Sequence, residues 1–473
     1  MPSDRPHART FFNPGASGVS GTIELPPIEM LPGQPLSPES LAMLQIQARP
    51  KRTRVVITGM GAITPLGHSP EELWCNLLAG KSGIAPVTLF DPSQFKTRIA
   101  AEVKGFDPTK YVDAKDARRM GRATLFALSA AREALNDAGI PGNFDEDPRA
   151  GVLLGTALGG FVEAIEAHNG FLQKGPDRVS PFLAAVILPN MPAFYLASYY
   201  RARGYNSTVV TACAAGTHAV GAAAEIIRRG DADMMITGGA DAIISDIVFA
   251  AFGVMRAMSM RNDDPEHASR PFDKNRDGFI VGEGSAILIL EKLEHALARG
   301  ARIYAEVLGF ATNSDAYHFA APDPQAIGAT RVMQDAMKNA GVTIEDIDYI
   351  NAHGTSTPLN DAGETLAIKT VFGERAYQIP ISSTKSMLGH SMGAAGAFEA
   401  VACAMTIRDQ KIHPTANYEI PDPACDLDYV PNKPRAAKVD VVLSNSFGLG
   451  GQNACLVLAK YRGIGDHHAS HYE

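Results

Sequence analysis

Cys213 is the residue of this sequence whose surroundings most favour chemistry. It lies between the strand-like run Thr208-Val209-Val210 and a small-residue helix that begins at about Ala214. A helix N-terminus carries partial positive charge, which favours a thiolate, and its free N–H groups can bind an oxyanion. A cysteine taken alone is more often a buried, inert residue, but the surrounding glycines and alanines leave room for a substrate. We therefore predict a nucleophile at Cys213.

Two histidines stand in loops that are typical of a crevice. His353 follows the strand-like run Asp348-Tyr349-Ile350, and His390 lies in a Gly-flanked polar segment. Loops that leave the ends of buried strands open into a crevice of an α/β sheet. A structural role is the alternative for either histidine alone, but the occurrence of both in such loops favours catalysis. His218 lies five positions after Cys213 in the predicted helix, points in another direction, and is left out of the site.

Composition excludes several classes of protein. The net charge of −8 over 473 residues provides no basic field for nucleic acid or an anionic membrane. No apolar run approaches the roughly 20 residues needed to span a bilayer. Five cysteines without a Cys-x-x-Cys pair argue against a zinc site and a disulfide framework. We expect a cytoplasmic protein, with an organellar stroma or matrix as the alternative.

Three segments imitate cofactor-binding loops but lack the residues that such loops need. The glycines at 55–61 are followed by Thr64 and Pro65 where a dinucleotide fingerprint needs glycine and helix. The acidic segment 273–284 has glycine at the twelfth position of a calcium loop, and the Gly-rich segment 444–451 lacks a lysine for phosphate. No cofactor and no metal is therefore expected.

The chain divides into four parts by its sequence pattern. From Arg54, short β-rich runs alternate with Ala-rich helical stretches, which predicts an α/β layered fold. The predicted parts are a flexible Pro- and Gly-rich extension at 1–52, an N-terminal half at 53–300, a C-terminal half at 301–463 and a polar tail at 464–473.

One passage from strand to small-residue helix occurs twice. It is found at 211–225, where it contains Cys213, and again at 387–399, where it contains His390. Such an echo indicates an internal duplication. It predicts that two helix N-termini face each other across a seam, one carrying a thiol and the other an imidazole.

Four motifs together resemble those of the β-ketoacyl-[acyl carrier protein] synthases, in particular the synthase II group of fatty-acid condensing enzymes. The motifs are Thr-Ala-Cys213-Ala-Ala-Gly-Thr, Asn-Ala-His353-Gly-Thr-Ser-Thr-Pro, Ser-Thr-Lys385-Ser-Met-Leu-Gly-His390 and Asn-Ser-Phe447-Gly-Leu-Gly-Gly. The resemblance extends over residues 53 to 461, and the segment 270–284 within that range is a further stretch that resembles the family. It implies a thiolase-like α/β fold in which two duplicated halves form a layered αβαβα core.

The resemblance implies a decarboxylative Claisen condensation of an acyl-carrier-protein primer with malonyl-carrier protein, without a cofactor. Cys213 would accept the acyl chain, and His353 and His390 would donate hydrogen bonds to the malonyl thioester. Backbone N–H groups of Cys213 and Phe447 would form the oxyanion hole. The implied partners are acyl carrier protein, acyl and malonyl thioesters, and a second copy of the chain.

Further residues match family positions with supporting roles. The resemblance implies that Lys385, paired with Glu399, has an electrostatic and positioning role. It implies that Thr355 and Thr357 contact the pantetheine arm and that Leu158 and Phe252 contact the acyl chain and substrate. Asp361 would have a supporting role. Two departures are Leu449, where the family commonly has Phe, and Ala215-Gly216, where Ala-Thr-Gly is more usual. We expect these departures to affect the shape of the pocket and its gating.

Alternatives share the fold and differ in chemistry or pathway. A polyketide ketosynthase would perform the same reaction. A non-catalytic chain-length partner would lack Cys213, and a thiolase would carry a second cysteine near Phe447. The basic segment 110–122 is either a solvated helix face or, through Lys115, Arg118 and Arg119, a docking surface for the acidic carrier protein.

Overall fold

Strands and helices alternate along the chain as the apolar pattern predicts. The computed structural model describes residues 52–140 and 142–463; the predicted extension before Arg52 and the predicted tail at 464–473 lie outside the described residues. The strands are β1 Val55–Ile63, β2 Ala85–Pro86, β3 Ile99–Ala100, β4 Ala150–Gly155, β5 Asn206–Val209, β6 Met234–Asp241, β7 Gly284–Lys292, β8 Ala305–Ser314, β9 Tyr349–Asn351, β10 Ile381–Ser382, β11 Lys411–Ile412, β12 Arg435–Ala436, β13 Val441–Gly448 and β14 Gln452–Ala459.

The helices that cover these strands differ in length and burial. They are α1 Pro70–Leu78, α2 Ala114–Ala117, α3 Arg122–Asp137, α4 Phe161–Lys174, α5 Leu183–Ile187, α6 Met191–Tyr199, α7 Ala215–Arg228, α8 Asp246–Val254, α9 Leu293–Ala298, α10 Ile327–Ala340, α11 Pro358–Phe372, α12 Lys385–Leu388 and α13 Ala395–Asp409. Short 3₁₀ turns at Ala212–Ala214 and Met392–Ala394 lead into α7 and α13.

Ten strands form one sheet in the order β10-β9-β13-β14-β8-β1-β7-β6-β4-β5. Its two five-stranded parts repeat one topology. If the strands of each part are numbered in chain order and read from the centre of the sheet outward, both parts have the order 1-5-4-2-3. In both parts, the three outer strands are parallel to one another, and the inner strands pair antiparallel. The parts meet where β1 pairs with β8 at two positions, Val56 with Glu306 and Ile57 with Ala305. The predicted duplication is confirmed by this topology.

Three apolar cores separate the layers. The central core contains α7 and α13, whose residues are mostly buried and contact strands of both parts. A second core lies between α3, α6 and the outer face of the N-terminal strands, and a third lies between α10, α11 and the C-terminal strands. Outer helices, the five N-terminal strands, the central helices, the five C-terminal strands and a second set of outer helices thus follow one another, as the predicted αβαβα core requires. The boundary at residue 300 stays a prediction.

The two central helices cross where both carry glycine. A Cβ at Gly216 of α7 would lie 2.8 Å from the Gly393 oxygen, and a Cβ at Gly396 of α13 would lie 2.1 Å from Thr217 Oγ1. Any larger residue at either position would force the helices apart. This close crossing brings the N-termini of α7 and α13 together across the seam, as the repeated motif predicts.

Candidate active site

Cys213 occupies the tight turn that starts α7. It is 9% exposed, and the residue before it, Ala212, has a left-handed backbone with φ 49°. Its sulfur lies 3.7 Å from the Met392 sulfur, which belongs to the matching turn before α13. The end of β13 closes over the same turn, because a Cβ at Gly448 would lie 2.8 Å from the Thr211 oxygen. The nucleophile predicted from the sequence therefore lies at the contact between the two halves.

The thiol is buried more deeply than the sequence indicated. Burial raises the pKa of Cys213 above its usual value, and the backbone N–H of Leu449 and the charge of Lys385 oppose this increase without cancelling it. Burial therefore outweighs the preference for a thiolate that a helix N-terminus provides. A buried thiol needs a partner that stabilises its anion, and Leu449 and Lys385 are the groups in position to do so.

His353 and His390 meet edge to face beside this turn. Their ring centroids are 5.5 Å apart at an interplanar angle of 84°, and the Phe447 ring lies 5.6 Å from His353. The main chain of His390 is held by a hydrogen bond of its N–H to the Ile280 oxygen (2.7 Å). The strand-end loops chosen from the sequence thus converge in one buried place.

Both imidazoles are neutral. Burial lowers the pKa of His353 and His390 well below the usual 6.5, and the nearby positive charge of Lys385 lowers both further. Within the described part of the chain, no group hydrogen-bonds the Nδ1 atom of either ring. Buried polar atoms without a protein partner are rare in folded proteins, and each calls for an explanation such as a catalytic role or an ordered water. Neither ring is therefore committed to a protein partner through Nδ1.

Glu364 of α11 fixes the main chain of His353, although no motif of the sequence pointed to it. Its carboxylate accepts the N–H groups of His353 (2.9 Å) and Gly354 (2.8 Å) and the side-chain amide of Asn445 (3.2 Å). Burial raises its pKa to about 7 despite these hydrogen bonds. The one signal in the sequence was its position eleven residues after His353, which places it on the helix that follows the histidine loop.

Lys385 and Glu399 form the buried ion pair that was expected from the need of a buried lysine for a partner. Both side chains are at most 3% exposed. Ser446 Oγ also approaches Glu399, at 3.4 Å. Burial raises the pKa of Glu399, and Lys385 counteracts the increase. Because Glu399 lies on α13, this pair fixes a positive charge beside the N-terminus of that helix.

The residues matched to substrate contacts surround the site at different depths. Thr355 and Thr357 share a hydrogen bond of 2.9 Å. Phe252 packs edge to face on Phe279 at 5.3 Å, and Phe279 in turn contacts the His390 ring at 5.6 Å. Leu158 is 38% exposed.

Asp361 supports the site from outside it. Its buried carboxylate accepts the N–H of Phe272 at 2.8 Å and lies 3.5 Å from the Arg276 guanidinium. It therefore anchors the segment 270–284, whose later residues Ile280 and Gly282 hold the main chain of His390.

The end of β13 places two residues of the Gly-rich motif near the site. The backbone N–H of Leu449 acts to lower the pKa of Cys213, and Phe447, opposite Asn453 in β13, contributes its ring to His353. The role of the Phe447 N–H in an oxyanion hole stays a prediction.

Other candidate groups lie away from the thiol or form no site. The side chain of His218 contacts Phe310 of β8, with ring centroids 5.6 Å apart, as suits a packing residue. Among residues 52–140 and 142–463, no cluster of three His, Cys, Asp or Glu side chains is arranged to hold a metal. No helix in those ranges is long and apolar enough to cross a membrane.

Two halves of one topology, with a cysteine at the start of one central helix and a histidine before the other, define a thiolase-like enzyme. Comparisons with known proteins give the particular family. The model "Beta-ketoacyl synthase, N-terminal domain" matches residues 52–296, and "Beta-ketoacyl synthase, C-terminal domain" matches residues 304–419. The chain belongs to the β-ketoacyl synthase family, as the four motifs indicated.

Individual relatives agree with this assignment. The chain is 51% identical over 412 residues to the 3-oxoacyl-[acyl-carrier-protein] synthase 2 of Synechocystis sp., with 87% of this chain and 99% of the relative covered. A β-ketoacyl synthase structure from Burkholderia phymatum is 39% identical with a TM-score of 0.81, and a type II polyketide ketosynthase solved with its acyl-carrier protein is 35% identical with a TM-score of 0.80. In both structural comparisons, 87% of this chain and all of the neighbour are covered.

Proposed function

We propose that this protein elongates fatty acids by condensing an acyl-carrier-protein primer with malonyl-carrier protein. The observation that carries the proposal is a buried thiol, whose pKa the Leu449 N–H acts to lower, in a site with two buried histidines whose Nδ1 atoms have no hydrogen-bond partner in the described chain. Acyl transfer needs a nucleophile and an oxyanion site, and decarboxylation needs donors for an enolate. Cys213 would supply the nucleophile, and His353 and His390 would supply the donors.

In the first step, the Cys213 sulfur attacks the primer thioester. The new C–S bond forms as the bond to the carrier thiol breaks, and the proton of Cys213 ends on that thiol. The Leu449 N–H and the Lys385 charge favour the thiolate, because both act against the increase of the Cys213 pKa by burial. The Leu449 N–H then stabilises the tetrahedral oxyanion together with the N–H of Cys213.

In the second step, malonyl-carrier protein loses CO₂ and leaves an enolate. A neutral imidazole carries one N–H donor, so His353 and His390 together present two donors to the thioester oxygen that becomes negative. The enolate carbon attacks the acyl carbon and expels the Cys213 thiolate, which takes up a proton from water and so restores the enzyme. Glu364 keeps His353 in place during this step through the hydrogen bond to its main-chain N–H.

The direct test is to incubate the protein with malonyl-carrier protein and a panel of acyl-carrier proteins and to weigh the products. A β-ketoacyl product two carbons longer than its primer supports the proposal. Intact protein carrying no acyl group on Cys213 with any primer would contradict it. Adding a series of polyketide primers to the same panel separates the fatty-acid pathway from the polyketide pathway. The chain is 51% identical to a 3-oxoacyl-[acyl-carrier-protein] synthase and 35% identical to a polyketide ketosynthase, which favours the fatty-acid role.

The basic segment around α2 is the proposed docking surface for acyl carrier protein. Lys115 and Arg118 are exposed, whereas Arg119 is engaged with Asp116 at 3.6 Å and lies over the Phe182 ring at 4.9 Å. Charge reversal of Lys115 and Arg118 should raise the KM for carrier-bound substrate about tenfold at low salt and much less at high salt. Reversal of the exposed Arg331 and Lys338 on α10 is the matched control. An equal effect of both pairs would remove α2 from the docking surface.

We also propose that the protein is a homodimer that pairs through β5. This strand ends the ten-stranded sheet and has a strand partner only on the β4 side among the described residues. Tyr205 and Val210, which flank β5, and Phe194 on α6 are 39%, 49% and 47% exposed. An uncovered edge strand flanked by apolar side chains is unfavourable in a monomer. The solution mass should be that of a dimer and should fall to that of a monomer in Val210→Glu.

A cytoplasmic location is proposed from the cysteines. All five are free thiols, and Cys213, Cys403, Cys425 and Cys455 are buried. Proteins that keep several thiols reduced belong to reducing compartments.

A further inference from the structure

We propose that Asp241 is a positioning residue that couples the acyl-pocket loop to the segment beside Cys213, and thereby sets which primer lengths are transferred. Asp241 is the last residue of β6 and is fully buried. The inference deepens the proposed function, because it concerns the acyl-transfer half of that reaction.

Four donors from two distant parts of the chain converge on this carboxylate. Oδ1 accepts the Thr156 hydroxyl (2.7 Å) and the Leu158 N–H (3.3 Å), and Oδ2 accepts the Ala157 N–H (2.8 Å) and the Gly393 N–H (2.7 Å). Thr156 to Leu158 form the loop after β4, whereas Gly393 lies in the turn before α13. The carboxylate thus joins the two halves at the seam.

Hydrogen bonds alone hold this charge in the interior. No ion pair joins Asp241 to a cationic side chain of the described residues, and burial raises its pKa to about 6 although all four donors oppose the increase. A buried carboxylate with only neutral donors is costly to retain unless those donors stay in place. The loop and the turn are therefore fixed relative to each other through Asp241.

Steric contact makes the link rigid. A Cβ at Gly393 would lie 2.4 Å from the Ala157 nitrogen and 2.5 Å from Asp241 Oδ2, so the two main chains touch at this point. The neighbouring Met392 has a left-handed backbone, with φ 44°, and its sulfur is the group 3.7 Å from Cys213. A shift of the loop at 156–158 is therefore passed to Met392 and from there to the nucleophile.

The apolar cluster around Cys213 contains some of these residues, and it is where the acyl chain of the proposed function would lie. Cys213 and Met392 belong to one apolar cluster with Val248 and Phe249 of α8, and Ala157 and Phe252 pack against it. A long acyl chain that displaces Leu158 must stretch the longest of the four hydrogen bonds, and through Asp241 it also pulls on Gly393. Short primers leave this link undisturbed. Asp241 therefore disfavours long primers by coupling their fit to the placement of the thiol.

Asp241→Asn tests the link. The asparagine side chain has the size of the aspartate, but its NH₂ group is a donor and cannot accept a hydrogen bond from the N–H group that faces it. In a Cys75→Ser background, which removes the exposed thiol, the rate of acyl-Cys213 formation is measured by intact mass for a short and a long primer. The long-to-short rate ratio should rise about threefold or more. Glu291→Gln is the matched control, since that buried carboxylate binds Thr58, His295 and Arg299 and not the site.

A second readout separates a coupled carboxylate from one that is merely structural. The groups whose charge acts on Cys213 are Asp241 and Lys385, and the negative charge of Asp241 raises the pKa of the thiol. Removing it should shift the pH profile of Cys213 alkylation to lower pH. Thr156→Val, which deletes one donor and keeps the charge, should change the primer ratio without moving this profile, and it remains informative if Asp241→Asn does not fold.

The outcomes separate this inference from the proposed function. If Asp241→Asn is folded and neither the primer ratio nor the alkylation profile differs from the parent, Asp241 has no positioning role. An unchanged ratio in both Asp241→Asn and Thr156→Val would overturn the inference as well. If the parent protein itself forms no acyl-Cys213, the proposed function fails instead.

Discussion

The two halves of the molecule build the same turn and use it differently. In each half, a 3₁₀ turn leads into a buried central helix, at Ala212–Ala214 before α7 and at Met392–Ala394 before α13. The first residue of each turn has a left-handed backbone, and the second is Cys213 in one half and Gly393 in the other. The turn that holds Cys213 therefore occurs in both halves, but only one of the two turns carries a thiol.

Space decides which copy can be the nucleophile. Cys213 has room for a side chain that meets Met392, whereas any Cβ at Gly393 would overlap Ala157 and Asp241. The residue three positions before Cys213 is Val210, which is half-exposed at the sheet edge. The residue three positions before Gly393 is His390, which is buried in the site. Both halves therefore build the same turn, and packing at the seam leaves room for a side chain at this position in only one of them.

The largest expected effect comes from removing the one side chain that distinguishes the two turns. Cys213→Ala should lower condensation by about 10⁴-fold or more, because no acyl-enzyme can form. Release of CO₂ from malonyl-carrier protein should stay within about tenfold of the parent rate, since the histidines are intact. Intact mass and CO₂ assays measure both, and an acyl adduct on Cys213→Ala would show that the nucleophile lies elsewhere.

His353→Ala tests the C-terminal half: it should impair decarboxylation and leave acylation of Cys213 intact, the reverse of Cys213→Ala. Loss of one donor to a developing oxyanion costs about 100- to 1,000-fold in rate. Release of CO₂ should fall by that factor while acyl-Cys213 still forms, as an increase in intact mass. Should acylation fall as severely as decarboxylation in a folded variant, His353 acts on the nucleophile and the halves do not divide the reaction as described.

Gly393→Ala tests the steric difference between the turns directly. The added methyl should destabilise the protein by about 1–3 kcal/mol, as overpacking does. Gly170→Ala in α4 is the matched control, because a Cβ there has no neighbour within 4 Å and alanine should stabilise the helix by about 1 kcal/mol. Denaturant unfolding measures both variants. Equal stability of the two would remove the steric explanation for the missing second nucleophile.

The smallest effect concerns pH and the carboxylate behind the histidine loop. Glu364 has a pKa of about 7, raised by burial from 4.5, so it becomes a full carboxylate only as pH rises through that value. Release of CO₂ should therefore rise several-fold across pH 7, because the ionised form holds the His353 N–H more firmly. The histidines cannot cause this rise, since their pKa values lie well below 6.5. Glu364→Gln should flatten the profile, and an unchanged rise would exclude Glu364 as its source.

Residues with local signatures could be predicted from the sequence, and residues that act at long range could not. Cys213 and His390 lie at helix starts that the pattern reveals, and Glu399 followed from the need of a buried Lys385 for a partner. Asp241 gave no such signal, because its donors come from positions more than 80 residues before it and 152 residues after it.

The pKa of Cys213 shows the same limit. A helix N-terminus can be seen in a sequence, but the burial that outweighs it depends on β13 and on the turn before α13, which belong to the other half. The sequence identified the motifs, whereas the folded chain determined which atoms face one another.

The close crossing of α7 and α13 also has a consequence during synthesis. The small-residue face of α7 is covered by a helix whose first residue, Ala395, is made roughly 180 residues after Ala215. At a translation rate of about 5–20 residues per second, this face waits for its partner on the order of 10–40 s after it leaves the ribosome. The nascent N-terminal half should therefore expose apolar surface to chaperones for that time, and it should not fold to its final state when released alone.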